Sequence, residues 1–126
     1  MKTFAIAVVA AAIAAAPAFA DAHSEIVNAE THAGLAGTAT TIEMVHAHMH
    51  HALNCLVGPN GSGFDKKAMN PCAHAGNGAI PDTSDAAKKK SLGDVAAELQ
   101  TGIAETDLAK AQNDATTAAS MLKKDE

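Results

Sequence analysis

Apolar residues recur at every third or fourth position in four segments of the chain, and this spacing limits the possible folds more than any other feature. The segments are residues 22–36, 42–56, 92–103 and 108–122. In each of them the spacing gathers the apolar side chains on one face, as in an amphipathic helix. Aromatic and β-branched residues hardly ever alternate at period two, so strands are not expected. The sequence therefore predicts an all-α protein.

The four helical segments form two similar pairs. Short turns near residues 37–38 and 105–106 connect the two helices of each pair. The threonine in each turn is the expected N-cap of the following helix. The stretch "AETHAGLAGTATTIEMVHAHMHHAL" aligns with "AELQTGIAETDLAKAQNDATTAASML" when two residues are omitted at the turn. Two helical hairpins with short loops, 22–57 and 91–124, predict an antiparallel four-helix bundle.

The first twenty residues have the three parts of a secretory signal. Lys2 precedes an apolar run, and Ala18-Phe19-Ala20 offers the small residues that a signal peptidase requires before Asp21. A transmembrane helix is the alternative, but the run before Pro17 is short for a bilayer span of about 20 residues. We expect removal of residues 1–20, export to a bacterial periplasm, no membrane attachment afterwards, and a single mature domain at 21–126.

The mature chain is acidic. Without Lys2 it has 8 lysines and no arginine against 14 acidic residues, which gives a formal net charge of −6. Nucleic-acid binding requires clustered cationic side chains, and this composition excludes it as the main function. Cations are the expected partners of such a chain.

Residues 58–90 form an insert between the two hairpins. They are rich in glycine, proline, asparagine and aspartate, which favour turns, and the insert is long for an unsupported connection. The only two cysteines are Cys55 and Cys72, and an even count in an exported protein predicts a disulfide. A bridge between them would hold the insert against the first hairpin and contribute about 3 kcal/mol, on a model of chain entropy.

Four of the seven histidines lie within six positions of the second helix. At 100° per residue they divide between two faces on either side of the apolar face. The first histidine face carries His46 and His50. The second carries His48 and His51.

The first histidine face has the spacing of a metal site. Histidines four apart on a helix can bind one cation, and Glu43 adds a Glu-x-x-His pair with His46. In an antiparallel hairpin turning near residue 39, His32 comes level with His46 as a third ligand. Glu25 and Glu30 are further candidates on the first helix.

The second histidine face offers a different site. Cys55 lies on the same line as His48 and His51, and Cys72 and His74 could fold back onto them. Reduced cysteines would make a Cys/His zinc site, although export favours the disulfide. For both faces, the simpler interpretation is a solvated histidine-rich surface. No arrangement of side chains indicates an active site, so the chain is not expected to be an enzyme.

The chain resembles the small metal-binding protein family of exported bacterial proteins in "NAETHAGLAGT", "IEMVHAHMHHAL" and the second copy "AAELQTGIAETDLAKAQNDA". The resemblance implies a four-helix bundle that binds copper, nickel or zinc, with ligands at His32, His46 and His50. The second copy has no histidine, and Gln112 stands where His46 would fall. The predicted function is sequestration or buffering of a divalent metal (Cu, Ni or Zn). The alternative is a disulfide-stapled helical scaffold or interaction module without a metal.

Overall fold

The structure is a computed structural model, and it describes residues 21–126. The predicted signal peptide, residues 1–20, lies outside the described residues. The described part contains five helices and no strand, which confirms the all-α prediction. The helices are α1 (Ala22–Thr38), α2 (Ile42–Val57), α3 (Ala79–Asp82), α4 (Ala86–Ala104) and α5 (Leu108–Asp125). None of these helices combines the length and the apolar character needed to cross a membrane.

Each long helix begins at a residue whose side chain caps it. Asp21, Thr41, Asp85 and Asp107 each accept a hydrogen bond from the backbone N–H three residues later. Such caps satisfy N–H groups that have no partner within the helix, and an aspartate also complements the positive end of the helix dipole. The predicted caps, Thr38 and Thr106, were both wrong: Thr38 ends α1, α2 is capped by Thr41, and α5 is capped by Asp107.

The insert is more regular than its composition suggests. It includes the short helix α3, and α4 begins at Ala86, five residues before the start expected from apolar spacing. Asp85 explains the early start, because its carboxylate accepts the backbone N–H of Lys88 at 2.7 Å. The lysine run 88–90 therefore belongs to the first turns of α4, where the apolar spacing is not yet visible.

The core is built mainly from alanine and leucine. Helix α1 packs against α2 and α5, and α4 packs against α5 and α2. The largest fully buried apolar side chains are Ile26, Met49, Leu53, Leu56, Leu92, Leu99 and Leu122. Small residues fill the remaining contacts and let the helices approach closely. At Gly102, for example, the side chain of Met49 occupies the space in which a β-carbon would lie.

The predicted disulfide is present. Cys55 near the end of α2 is bonded to Cys72 in the insert; their Cα atoms are 5.2 Å apart, and their sequence separation is 17. Two buried polar side chains fasten the insert on either side of the bridge. Asn54 bonds to the backbone at residues 65 and 69, and Glu25 of α1 accepts the N–H of Gly78.

Candidate metal centre

Three histidines from two helices converge on one point. His32 comes from α1, and His48 and His51 come from α2. Their rings are 5.0–5.6 Å apart between centroids, and one nitrogen from each ring lies within 4.8 Å of the others. The closest pair is Nδ1 of His32 and Nδ1 of His48, at 3.3 Å. We call these three residues the histidine triad.

Local sequence explains why the triad forms. His48 and His51 are three residues apart, so their side chains leave α2 on the same face, one turn from each other. Helix α1 contributes fully buried alanines at positions 29 and 33. Alanine has almost no side chain to separate two helices, and α1 packs directly on α2. His32, next to Ala33 and partly buried, is thereby brought against both histidines.

Burial favours the neutral, metal-binding form of His32 and His51. Loss of hydration lowers the pKa of His32 below its ordinary value of 6.5, and the neighbouring rings of His51 and His48 lower it further. The pKa of His51 is lowered by the same burial, then by His48 and His50. A histidine must be neutral to donate its lone pair to a cation. The crowding of the rings therefore favours the ligand form at neutral pH.

One ring nitrogen in the triad lacks a partner. Nδ1 of His51 is buried and makes no hydrogen bond to any of the residues 21–126. Buried polar atoms ordinarily have a partner, and a bound ion is one way to supply it. Nδ1 of His50, on the other histidine face, is likewise buried without a hydrogen bond among residues 21–126. The triad thus fits a cation in its donor chemistry and in the unsatisfied Nδ1 of His51.

The first histidine face is arranged differently. Nε2 of His46 donates to the backbone carbonyl of Glu105 at 2.9 Å. Nδ1 of His50 lies 3.6 Å from Oδ2 of Asp65, which suits an ion pair when the ring is protonated. Glu43 is exposed in the first turn of α2. In residues 21–126 these side chains form no group of three with converging ligand atoms, whereas the triad does.

None of the other residues that the sequence suggested as ligands belongs to the triad. The sulfurs of Cys55 and Cys72 are bonded to each other and are not available as thiolates. His74 is exposed. Glu25 is fully buried at the contact with the insert. Glu30 interacts with Glu126, and that contact raises the pKa of Glu30.

The helical wheel of α2 correctly grouped two of the three histidines of the triad, but the sequence did not place His32 with them. The wheel separated His48 and His51 from His46 and His50, and the structure brings the first two together. The register of an antiparallel hairpin, rather than the wheel, put His32 at the level of His46, on the other histidine face. The signal that could have placed His32 correctly is its position beside Ala33, since the alanine face of α1 is the one that packs.

No known protein family, curated protein or solved structure matches the chain. The geometry of the histidines is therefore the observation that supports a function.

Proposed function

We propose that this protein binds a divalent transition-metal cation, namely copper, nickel or zinc, through His32, His48 and His51. Its role is sequestration or buffering in the compartment to which it is exported. The observation that carries the proposal is the convergence of three imidazoles from two helices. Imidazole is a good ligand for all three metals.

The surroundings of the triad favour reversible binding. All three histidines are partly buried, so a bound ion keeps contact with solvent and can exchange. The net charge of the chain is negative, which raises the local concentration of cations. Both features suit a buffer better than a permanently occupied structural site.

The proposal includes a periplasmic location and an antiparallel four-helix bundle related to the small metal-binding protein family. The signal-like pattern of residues 1–20 supports the location. Contacts of α1 with α2 and α5, and of α4 with α5 and α2, support the bundle. We propose a binding role rather than catalysis, and metal ions rather than nucleic acid or membrane as partners.

A disulfide-stapled scaffold without a metal role is the second candidate. The observation that favours it is the insert, which is fastened by the Cys55–Cys72 bridge and by buried Asn54 and Glu25. The second hairpin, α4 and α5, also carries no histidine. On this alternative the triad is a packed cluster of rings and binds no ion.

Calorimetric titration of the purified protein with Cu²⁺, Ni²⁺ and Zn²⁺ distinguishes the two candidates. The test variant is His48→Gln/His51→Gln, and the matched control is His46→Gln/His50→Gln. Both remove two histidines from the same helix, and glutamine preserves polarity and helix propensity. We expect one site per chain in the wild type and in the control, and its loss in the test variant. Equal affinities in all three proteins would overturn the triad as the binding site, and no binding by the wild type would overturn the metal function.

A further inference from the structure

The geometry points to a tetrahedral site in the histidine triad, with Nδ1 of His32 and Nδ1 of His48 as two ligands and one position left for water. We infer that the triad therefore takes Zn²⁺ in preference to Ni²⁺. This inference rests on the proposed function, since it specifies the metal and its coordination at the same three residues.

The separation of the two Nδ1 atoms carries the inference. Zinc–imidazole bonds are about 2.0–2.1 Å long, so two ligands of a tetrahedral zinc lie about 3.3–3.4 Å apart. Ligands at right angles, as in square-planar or octahedral nickel sites, lie only about 2.9 Å apart. The observed distance is 3.3 Å. The two helices already hold these nitrogens at a tetrahedral spacing.

The same contact identifies the tautomers. Without a metal, one of the two facing Nδ1 atoms donates a hydrogen to the other, because two lone pairs or two hydrogens would repel. A metal between them needs both lone pairs. The ring that carried hydrogen on Nδ1 must therefore hold it on Nε2 instead, an exchange through solvent that leaves both rings neutral. Metal binding converts His32 and His48 to the same Nε2–H tautomer.

The third ligand requires a small adjustment. One nitrogen of each ring lies within 4.8 Å of the other two, so a pair at that limit needs a movement of about 1.5 Å to reach the length of a tetrahedral edge. Rotation of one partly buried side chain supplies such a movement without shifting the helix. His51 closes onto an ion that the first two rings have already positioned.

The fourth position is left to solvent. In residues 21–126 no further histidine, cysteine, aspartate or glutamate joins the triad. All three rings remain partly exposed. Three histidines with a water in the fourth place is a coordination that zinc adopts readily. Nickel prefers more ligands or a planar arrangement, neither of which the triad provides.

Co²⁺ is the probe for the coordination, because tetrahedral Co²⁺ absorbs visible light strongly and octahedral Co²⁺ only weakly. We expect an intense spectrum with one equivalent of Co²⁺ in the wild type and in His46→Gln/His50→Gln. The spectrum should be absent in His32→Gln. Zn²⁺ should displace Co²⁺ completely, and in an equimolar mixture of Zn²⁺ and Ni²⁺ the protein should retain zinc.

Nitrogen NMR of the zinc-loaded protein checks the ligand atoms. Long-range ¹H–¹⁵N correlations should show metal-bound Nδ1 and protonated Nε2 for both His32 and His48. A weak, octahedral-type cobalt spectrum, nickel retained over zinc, or ligation through Nε2 of His32 or His48 would overturn this inference. In each of those cases one-site binding by calorimetry would still support the proposed function. Absence of any calorimetric binding would overturn both.

Discussion

Asn54 and Asp65 are joined by a pair of hydrogen bonds that fastens the insert to α2. Nδ2 of Asn54 donates to the Asp65 carbonyl at 3.0 Å, and the Asp65 N–H donates to Oδ1 of Asn54 at 2.9 Å. The same Nδ2 also donates to the carbonyl of Met69 at 3.2 Å. Asn54 is fully buried and precedes Cys55 of the disulfide. The side-chain amide of Asn54 thus provides hydrogen-bond partners for three backbone groups in a part of the insert that is neither helix nor strand.

Replacing Asn54 with alanine should destabilise the protein by about 2–4 kcal/mol. The substitution leaves backbone groups of the insert without partners, and each buried orphan costs about 1–3 kcal/mol. Urea unfolding measures the change. Asn113→Ala is the control, because Asn113 is exposed on α5 and its loss should change stability by less than about 0.5 kcal/mol. Equal losses in the two variants would show that the Asn54 bonds contribute nothing.

Reduction of the Cys55–Cys72 bond should make the insert more mobile while the helices stay folded. The bridge spans 17 positions and is expected to contribute about 3 kcal/mol. Trypsin provides the measurement, since Lys66 and Lys67 are exposed in the insert. Cleavage there should accelerate on reduction while circular dichroism stays unchanged. Cleavage at Lys110 in α5 is the internal control, and a parallel acceleration there would indicate global unfolding instead.

The free energy of unfolding should fall as the pH rises from 4.5 to about 7, because the buried carboxyl of Glu25 loses its proton in this range. Burial raises its pKa from 4.5 to about 7, against the lowering effect of the Gly78 N–H and with a further increase from Asp82. A raised pKa means that the folded state binds the proton more tightly than the unfolded state. The stabilising contribution is complete below pH 4.5 and is lost between pH 4.5 and 7, by up to about 3 kcal/mol.

Glu25→Gln isolates this effect, because the amide keeps an acceptor for Gly78 and never ionises. Relative to the wild type, the variant should gain stability at pH 8 and show little difference at pH 4.5. Denaturant unfolding across this range measures the difference between the two proteins. Glu98→Gln, in the middle of α4, is the control. A Glu25→Gln difference that does not vary with pH would mean that the buried carboxyl does not titrate in this range.

Metal binding should persist below pH 6.5 and then decline. The lowered pKa values of His32 and His51 delay protonation, so protons compete with the metal only at pH values below the ordinary 6.5. Zn²⁺ titrations between pH 5 and 8 give the profile. His46→Gln should reproduce it, because His46 bonds to Glu105 instead of joining the triad. In an NMR titration of the metal-free protein, a pKa of His32 or His51 at or above 6.5 would contradict the effect of burial.

Two glycines of α4 should respond oppositely to alanine. At Gly102 the new methyl group would lie against the buried side chain of Met49, and overpacking of this kind costs about 1–3 kcal/mol. At Gly93 no atom lies within 4 Å, so alanine should add about 1 kcal/mol through helix propensity. Thermal unfolding of the two variants gives the signs, and a stabilised Gly102→Ala would show that α4 and α2 are not in close contact there.

The helices and the disulfide are the parts that the sequence predicted well. Both depend on short-range information, namely the periodicity of apolar residues and the number of cysteines. The start of α4 was missed because Asp85 caps that helix well before Leu92, the first residue of its buried face. Buried Glu25 was considered only as a metal ligand, since nothing local indicates that the backbone of residue 78 packs against it.

The rotation of α1 about its axis relative to α2 determines which histidine of α1 meets His48 and His51. A helical wheel shows which residues of one helix share a face, and it grouped His48 with His51 correctly. It contains no information on the angle and register between two helices, and those are set by side-chain packing across the interface. His32 was therefore assigned to the face of His46, while the packing of the alanines beside it turns its ring to His48.

The ligands of the triad are close together in the chain, since only 16 positions separate His32 from His48. A segment this short brings its imidazoles together often even when the protein is unfolded, because closing a small loop has a low entropic cost. If the triad binds a metal as proposed, the denatured chain keeps part of that affinity. Ligand binding raises a melting temperature only through the difference in affinity between the folded and unfolded states. Thermal shifts would then understate how tightly the native protein binds the ion, and an unfolded chain could capture the ion before it folds.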